Sequence, residues 1–163
     1  DEGCGVMLFF IYVIYMAYWL FGIPTRLYAT GGHLSDLEMD EEDTADIVMS
    51  CKQGAQVFPV HVHLDFLQKP ARRYLHIVGD KGKLLFDAIA NRLEVNLIGG
   101  DKADVTLFDK FQRNDMFLAE VRDFIKSVQQ GTAPAIPLEE GAAVLRICLA
   151  AKQSLSERQA FEF

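Results

Sequence analysis

From Gly3 to Thr25 the chain carries no charged side chain, and the run Val6-Met-Leu-Phe-Phe-Ile-Tyr-Val-Ile-Tyr-Met-Ala-Tyr-Trp-Leu-Phe21 is apolar or aromatic throughout. A helix that is apolar on every side is either buried in a large core or interface, or spans a bilayer. Residues 4–23 reach the ~17–25 apolar residues a span needs, so a membrane-anchored soluble module is one reading. The flanks argue against it. Asp1-Glu2 precedes the run, and only Arg26 follows before an acidic segment, so no Lys/Arg cluster sets an orientation. A secretory signal would need a basic start and a small-residue cleavage site, and neither is present.

The remainder reads as one soluble domain. The chain has 163 residues, 50% of them hydrophobic and 24% charged, with a formal charge of −7. That length supports one substantial core, and the acidic balance excludes the clustered basic face of a nucleic-acid binder. Cys4, Cys51 and Cys148 are odd in number and form no C-x-x-C pair. Reduced thiols in a cytoplasmic protein account for them most simply.

Periodicity sets the order of elements. An opening helix over about 5–21 precedes a short strand over 25–30 that ends at Gly31-Gly32. Asp36 to Asp46 holds seven carboxylates without the spacing of a calcium loop, which predicts a solvated acidic connection. From Thr44 the apolar period shifts toward two, with strands expected near 44–51, 55–66, 72–79, 83–88 and 91–98 and hairpin-type turns between them. The helical period returns after Asp109. Phe117, Val121, Phe124, Ile125 and Val128 form one stripe of a helix over about 114–130, capped by Asn114 or Asp115. A second closing helix over about 138–155 places Val144, Cys148, Ala151 and Leu155 on one face. The expected fold is a single α+β domain over 1–163. One predominantly antiparallel, open-faced sheet over about 25–98 carries the opening helix and the two closing helices on one side.

Alternation along Val57 to Asp65 sends His61, His63 and Asp65 to one face of a strand. Those three side chains could hold a divalent metal, the basis of a second alternative reading. They could equally pair with charges on a neighbouring strand, where Arg72, Arg73 and His76 follow.

Several segments together resemble one family. Gly5-Val-Met-Leu8 through Tyr18-Trp-Leu-Phe-Gly22, then Glu42-Asp-Thr-Ala-Asp46, Gly79-Asp-Lys-Gly82, Phe124-Ile125 and Ala150-Ala-Lys-Gln-Ser154 occur in the order and spacing of a known domain. The chain is similar over nearly its whole length to the C-terminal domain of the glucose-fructose oxidoreductase, inositol dehydrogenase and rhizopine-catabolism family. The resemblance implies the substrate-binding and oligomerisation part of an NAD(P)-dependent oxidoreductase, acting on a small polar substrate such as a sugar, a cyclitol or a related alcohol. It implies a homo-oligomer formed through the sheet face, with His61, His63, Asp65 and Arg73 as substrate or interface residues.

The family's N-terminal Rossmann domain has no counterpart here. No strand precedes Gly3-Cys-Gly5 and no β-α-β unit fits before it, so this chain alone is expected to bind no dinucleotide and to be inactive. Gln68-Lys69-Pro70 resembles the family's Glu-Lys-Pro triplet but falls between two sheet strands, where a loop closed by Pro70 is expected. In the family the opening helix also carries an Asp three or four residues before a His or Tyr. Matching from Gly22 puts Tyr12 at the His/Tyr position and Leu8 or Phe9 at the Asp position, with Val13 and Tyr15 where acids are frequent. Tyr12 is therefore the one catalytic candidate, although its aromatic surroundings favour its reading as an aromatic packed in a buried helix.

Overall fold

The computed structural model describes residues 4–163. They form two compact units, one made of the described residues up to Leu67 together with Ile136–Phe163, the other of Gln68–Ala135. The antiparallel α+β class stands, but the strands divide into two four-stranded sheets where one was expected. The division falls at Phe66 to Arg73, which belongs to no strand. Pro70 has no amide hydrogen to give a ladder, and the next strand begins at Tyr74 instead of 72.

In the first unit the opening helix is two pieces, α1 (Val6–Phe9) and α2 (Ile11–Phe21). The break is Phe10, whose ψ of 30° leaves the helical region. Gly22, at φ 77°, ends α2 while its amide still reaches the Tyr18 carbonyl at 2.7 Å. Among the described residues no helix is long and apolar enough to cross a membrane.

Strands β1 (Arg26–Gly32), β2 (Thr44–Gln53) and β3 (Gln56–Asp65) form an antiparallel meander. A short strand near the other end of the sequence, β8 (Phe161–Glu162), pairs with β1 and completes the order β3-β2-β1-β8. The inward residues of the sheet are Leu27 and Ala29 on β1, Ala45, Ile47, Met49 and Cys51 on β2, and Val62 and Leu64 on β3, all buried. Against them pack Val6, Met7, Ile14 and Ala17 of the opening helices and Val144, Ile147, Cys148 and Ala151 of α4 (Leu138–Glu157). Each large side chain fully withdrawn from water there contributes about 1.5–3 kcal/mol. The helices thus cover one face of this sheet and leave the other open.

Close backbone approach explains one glycine. At Gly31 φ is 142°, and a Cβ there would lie 2.1 Å from the Thr44 carbonyl oxygen.

The second unit carries β4 (Tyr74–Gly79), β5 (Gly82–Asp87), β6 (Arg92–Leu97) and β7 (Asp104–Leu107), in that order and antiparallel throughout. Helix α3 (Arg113–Gln130) begins two or three residues earlier than Asn114 or Asp115 at the cap would place it. Its N-cap is Gln112, with Asp115 returning a bond to the cap amide in a capping box, and Gly131 in the left-handed region closes it. The stripe Phe117, Val121, Phe124, Ile125 and Val128 exists at the expected spacing but remains exposed.

Candidate functional site

The acidic connection between β1 and β2 is only partly the solvated segment expected. Asp36, Glu38 and Asp40 are exposed, whereas Glu42 and Asp43 are buried. The Asp43 carboxylate accepts bonds from the Leu34 amide (3.0 and 3.1 Å), the Ser35 amide (2.9 Å), the Ser35 hydroxyl (2.6 Å) and the Thr44 hydroxyl (3.0 Å). The Ser35 hydroxyl bond leads the group of donors that, against burial, holds the Asp43 carboxyl at about 2. Glu42 seats the opening helix. Its carbonyl accepts the Val6 amide at 2.8 Å and its side chain the Met7 amide at 3.2 Å, supplying α1 with the partners a helix start lacks. Gly5 must be glycine for this, because a Cβ would stand 2.5 Å from the Glu42 carboxylate.

Lys152 of α4 closes the same corner with ammonium contacts to Glu41 (2.5 Å) and Glu42 (3.2 Å). Burial alone would lower its pKa, but the two carboxylates outweigh that and raise it. Ser154, two residues further along α4, accepts the Ala29 amide at 3.0 Å and donates to the Gln159 carbonyl. The opening helix is therefore held by β2 and α4 jointly.

That anchoring sets what α1 and α2 present. Val6, Met7, Ile14 and Ala17 face inward, and Phe9, Tyr12, Trp19, Leu20 and Ile23 are exposed. Tyr12 and Trp19, seven residues apart, lie along one side of α2, while Phe9 ends α1 and Ile23 follows the end of α2. Tyr12 is 40% exposed, with its ring edge-on to Phe10 at 5.8 Å between centroids. Its ring is thus partly packed and partly open to solvent. Three residues on, Tyr15 is half-buried with its hydroxyl 3.5 Å from Glu140 of α4. Burial first, and the Glu140 charge second, raise its pKa and keep it a neutral phenol. No acid lies on α1 or α2 in the described chain.

The second cluster lies on the opposite, open face of the same sheet. The alternation predicted for β3 holds, with Val62 and Leu64 inward and His61, His63 and Asp65 outward. The partner strand is β2, not the strand of Arg72, Arg73 and His76. Asp46, directly opposite His63, stands 2.9 Å from His61 Nε2 and 2.9 Å from His63 Nδ1 through Oδ1. The other ring nitrogen of His63 lies 3.0 Å from Asp65 Oδ2. Burial tends to raise the Asp46 pKa, and the two histidines outweigh it and lower it. These ligand atoms are turned on one another, and among the described residues no group of three or more His, Cys, Asp or Glu is placed to hold a metal ion. Arg73 precedes β4 in the second unit, where its carbonyl accepts the Ala88 amide. The sheet separates Tyr12 from the histidines, so the structure does not unite the predicted residues in one site.

Asp46, Glu42, Asp43 and Lys152 lie in segments that carry the family resemblance, but no role for them was read from sequence. Asp46 had a usable signal. The tight turn after Gln53 fixes the β2–β3 register, and that register puts position 46 opposite position 63.

Reactive thiols are absent from the core. Cys51 and Cys148 are buried and free, and burial pushes the Cys148 thiol up to about 11, away from the thiolate.

The fold recurs in the second halves of larger redox enzymes. An oxidoreductase from Agrobacterium radiobacter, solved with NAD+, L-tartaric acid and magnesium, superposes with a TM-score of 0.80 at 17% identity, over 99% of this chain and 50% of that one. The WlbA dehydrogenase from Bordetella pertussis, solved with NADH and UDP-GlcNAcA, does so with a TM-score of 0.75 at 17% identity, over 98% of this chain and 48% of that one. Residues 2–163 match the model of the oxidoreductase family's C-terminal alpha/beta domain, and the chain belongs to that family, the glucose-fructose oxidoreductase, inositol dehydrogenase and rhizopine-catabolism group. Myo-inositol 2-dehydrogenase from Thermotoga maritima is 30% identical over 142 residues, covering 82% of this chain and 41% of the relative. The chain thus spans about half the length of the proteins it resembles.

Proposed function

We propose that these residues form the substrate-binding and oligomerisation part of a cytoplasmic NAD(P)-dependent oxidoreductase acting on a sugar, a cyclitol or a related alcohol. The observation that carries this reading is the exposed aromatic side of α1 and α2 with Tyr12 on it. A soluble chain rarely leaves such a stripe without a partner surface, and in this family the opening helix carries the proton-transfer group.

The described residues do not fit a dinucleotide. Both sheets are antiparallel throughout, so they contain no parallel β-α-β unit to present a helix N-terminus to a pyrophosphate. Gly3 of the Gly3-Cys4-Gly5 pair lies outside the described residues, and Gly5 opens a four-residue helix. In this reading the cofactor belongs to another domain. What this chain offers is the Tyr12 phenol, whose hydroxyl both donates and accepts, as the proton donor or acceptor for a substrate hydroxyl. Leu8, Phe9 and Val13 beside it exchange no proton. The open sheet face, with His61, His63 and Asp65, is the surface through which copies associate.

The test combines this chain with a dinucleotide-binding domain of the family and follows nicotinamide absorbance with myo-inositol and other polyols. Tyr12→Phe is expected to lower turnover about 10²-fold. Unchanged turnover would remove Tyr12 from the mechanism.

A further inference from the structure

We propose that the His61, Asp46, His63, Asp65 chain makes self-association through the open face of the first sheet proton-dependent, holding two copies of this chain together in mildly acidic solution and releasing them in alkaline solution. This rests on the reading of that face as the surface where copies meet.

Both ring nitrogens of His63 are within 3.0 Å of a carboxylate oxygen, Nδ1 of Asp46 and Nε2 of Asp65. A neutral imidazole has one N–H and one lone pair, and an ionised carboxylate only accepts. Both bonds therefore hold together only in the imidazolium. Burial pulls the His63 pKa down, and the bonds to Asp46 and Asp65 outweigh it, for a net rise. The titratable groups turned toward His63 are Asp46 from β2 and Asp65 from β3, with His61 reaching it through Asp46.

The charge of the face identifies the occupant. Alternation places Arg26, Lys52 and protonated His63 on it against Asp46, Asp65 and Glu162, which cancel. Tyr28, Val48 and Val57 supply exposed apolar surface between them. On a chain with a formal charge of −7, this neutral, partly apolar face is one that a second copy can approach without like-charge repulsion. A two-fold contact sets the same patch on itself. Loss of the His63 proton leaves one net negative charge in each copy, and the contact would then desolvate two.

Sedimentation velocity at constant ionic strength, from pH 6.0 to 8.5, reads this directly. The dimer dissociation constant should rise at least about tenfold over that range, as expected when each copy's proton affinity differs by about half a pKa unit or more between the free and associated states. His63→Gln should flatten the dependence to under about twofold, and Val48→Glu should abolish the dimer at every pH. The His63 ring resonance followed by NMR should titrate at higher pH in concentrated than in dilute protein, a check that needs no variant. If Val48→Glu associates like the parent, or the parent never associates, the face is not the interface and both readings fall. If Val48→Glu dissociates the dimer but the parent is indifferent to pH, or His63→Gln keeps the dependence, the interface stands and the proton switch is overturned. Loss of the pH response in EDTA would also overturn it, by assigning the titration to metal ligation.

Discussion

Asp43 shows how little a charge run reveals about its members. Five donor contacts from Leu34, Ser35 and Thr44 converge on its carboxylate, and only an ionised group accepts them all. Its folded pKa of about 2 lies below the ordinary carboxylate range, so its stabilising effect is complete above the unfolded value near 4 and disappears as pH falls through about 2. Asp43→Asn should therefore lower the thermal midpoint at pH 7 by about 5 °C, a gap that closes as both proteins are melted toward pH 2. A constant gap would mean that shape, and not charge, matters at this position. His63 behaves with the opposite sign, since its raised pKa gives stabilisation that is present in acid and lost as pH rises. None of this was visible in Asp36 to Asp46 as a string. Exposed Asp40 and buried Asp43 differ in which loop amides reach them, and those amides belong to Leu34 and Ser35, residues with no sequence signal of their own.

At the level of elements, β2 separates the two roles of a half-buried strand. Ile47 is sealed between sheet and helices, while its neighbour Val48 is 48% exposed on the open face. Ile47→Ala should cost about 2–5 kcal/mol by chemical denaturation, and Val48→Ala within about 0.5 kcal/mol at concentrations where the chain is monomeric. Equal losses would contradict the one-sided core. This strand was legible from sequence because period-two alternation is local. So were the hairpin turns and both closing helices. What local pattern could not decide was pairing between distant segments. Residues 25–98 hold enough strand signal for one sheet, and the break at Gln68-Lys69-Pro70 was readable as a loop but not as the border between two sheets. The short strand β8 was missed for the same reason, whereas β7, which pairs with its neighbour β6, was missed because it has four residues and all are exposed. Phe161–Glu162 is a strand only because β1 offers it a free edge, and no window around it is periodic. The apolar run over 5–21 was read correctly as a helix, yet its interruption at Phe10 follows from Glu42 and α4 holding α1, contacts made with residues far away in sequence.

For the molecule as a whole, Trp19 gives an unusually direct reporter. It is the single tryptophan of the chain, 69% exposed in the last turn of α2. A surface with Phe9, Tyr12, Trp19 and Ile23 exposed has about the composition of an interface core, where aromatic residues are enriched and charges depleted. Its energetics favour whatever removes those rings from water, whether a dinucleotide-binding domain or, in its absence, other copies. The two outcomes separate by concentration and by partner. In dilute solution the Trp19 emission should be red-shifted and freely quenched by acrylamide. Addition of a dinucleotide-binding domain from the family should shift it to the blue and reduce quenching about threefold or more, as burial of a largely exposed ring requires. Trp19→Glu would place a charge in the middle of that contact and should weaken the complex by at least about 2 kcal/mol, the threshold of a central aromatic anchor, while circular dichroism stays unchanged because the residue packs on nothing essential to the core. Emission indifferent to the added domain, with no self-association to explain it, would leave the stripe without a partner and remove the main support for placing Tyr12 at a shared catalytic surface.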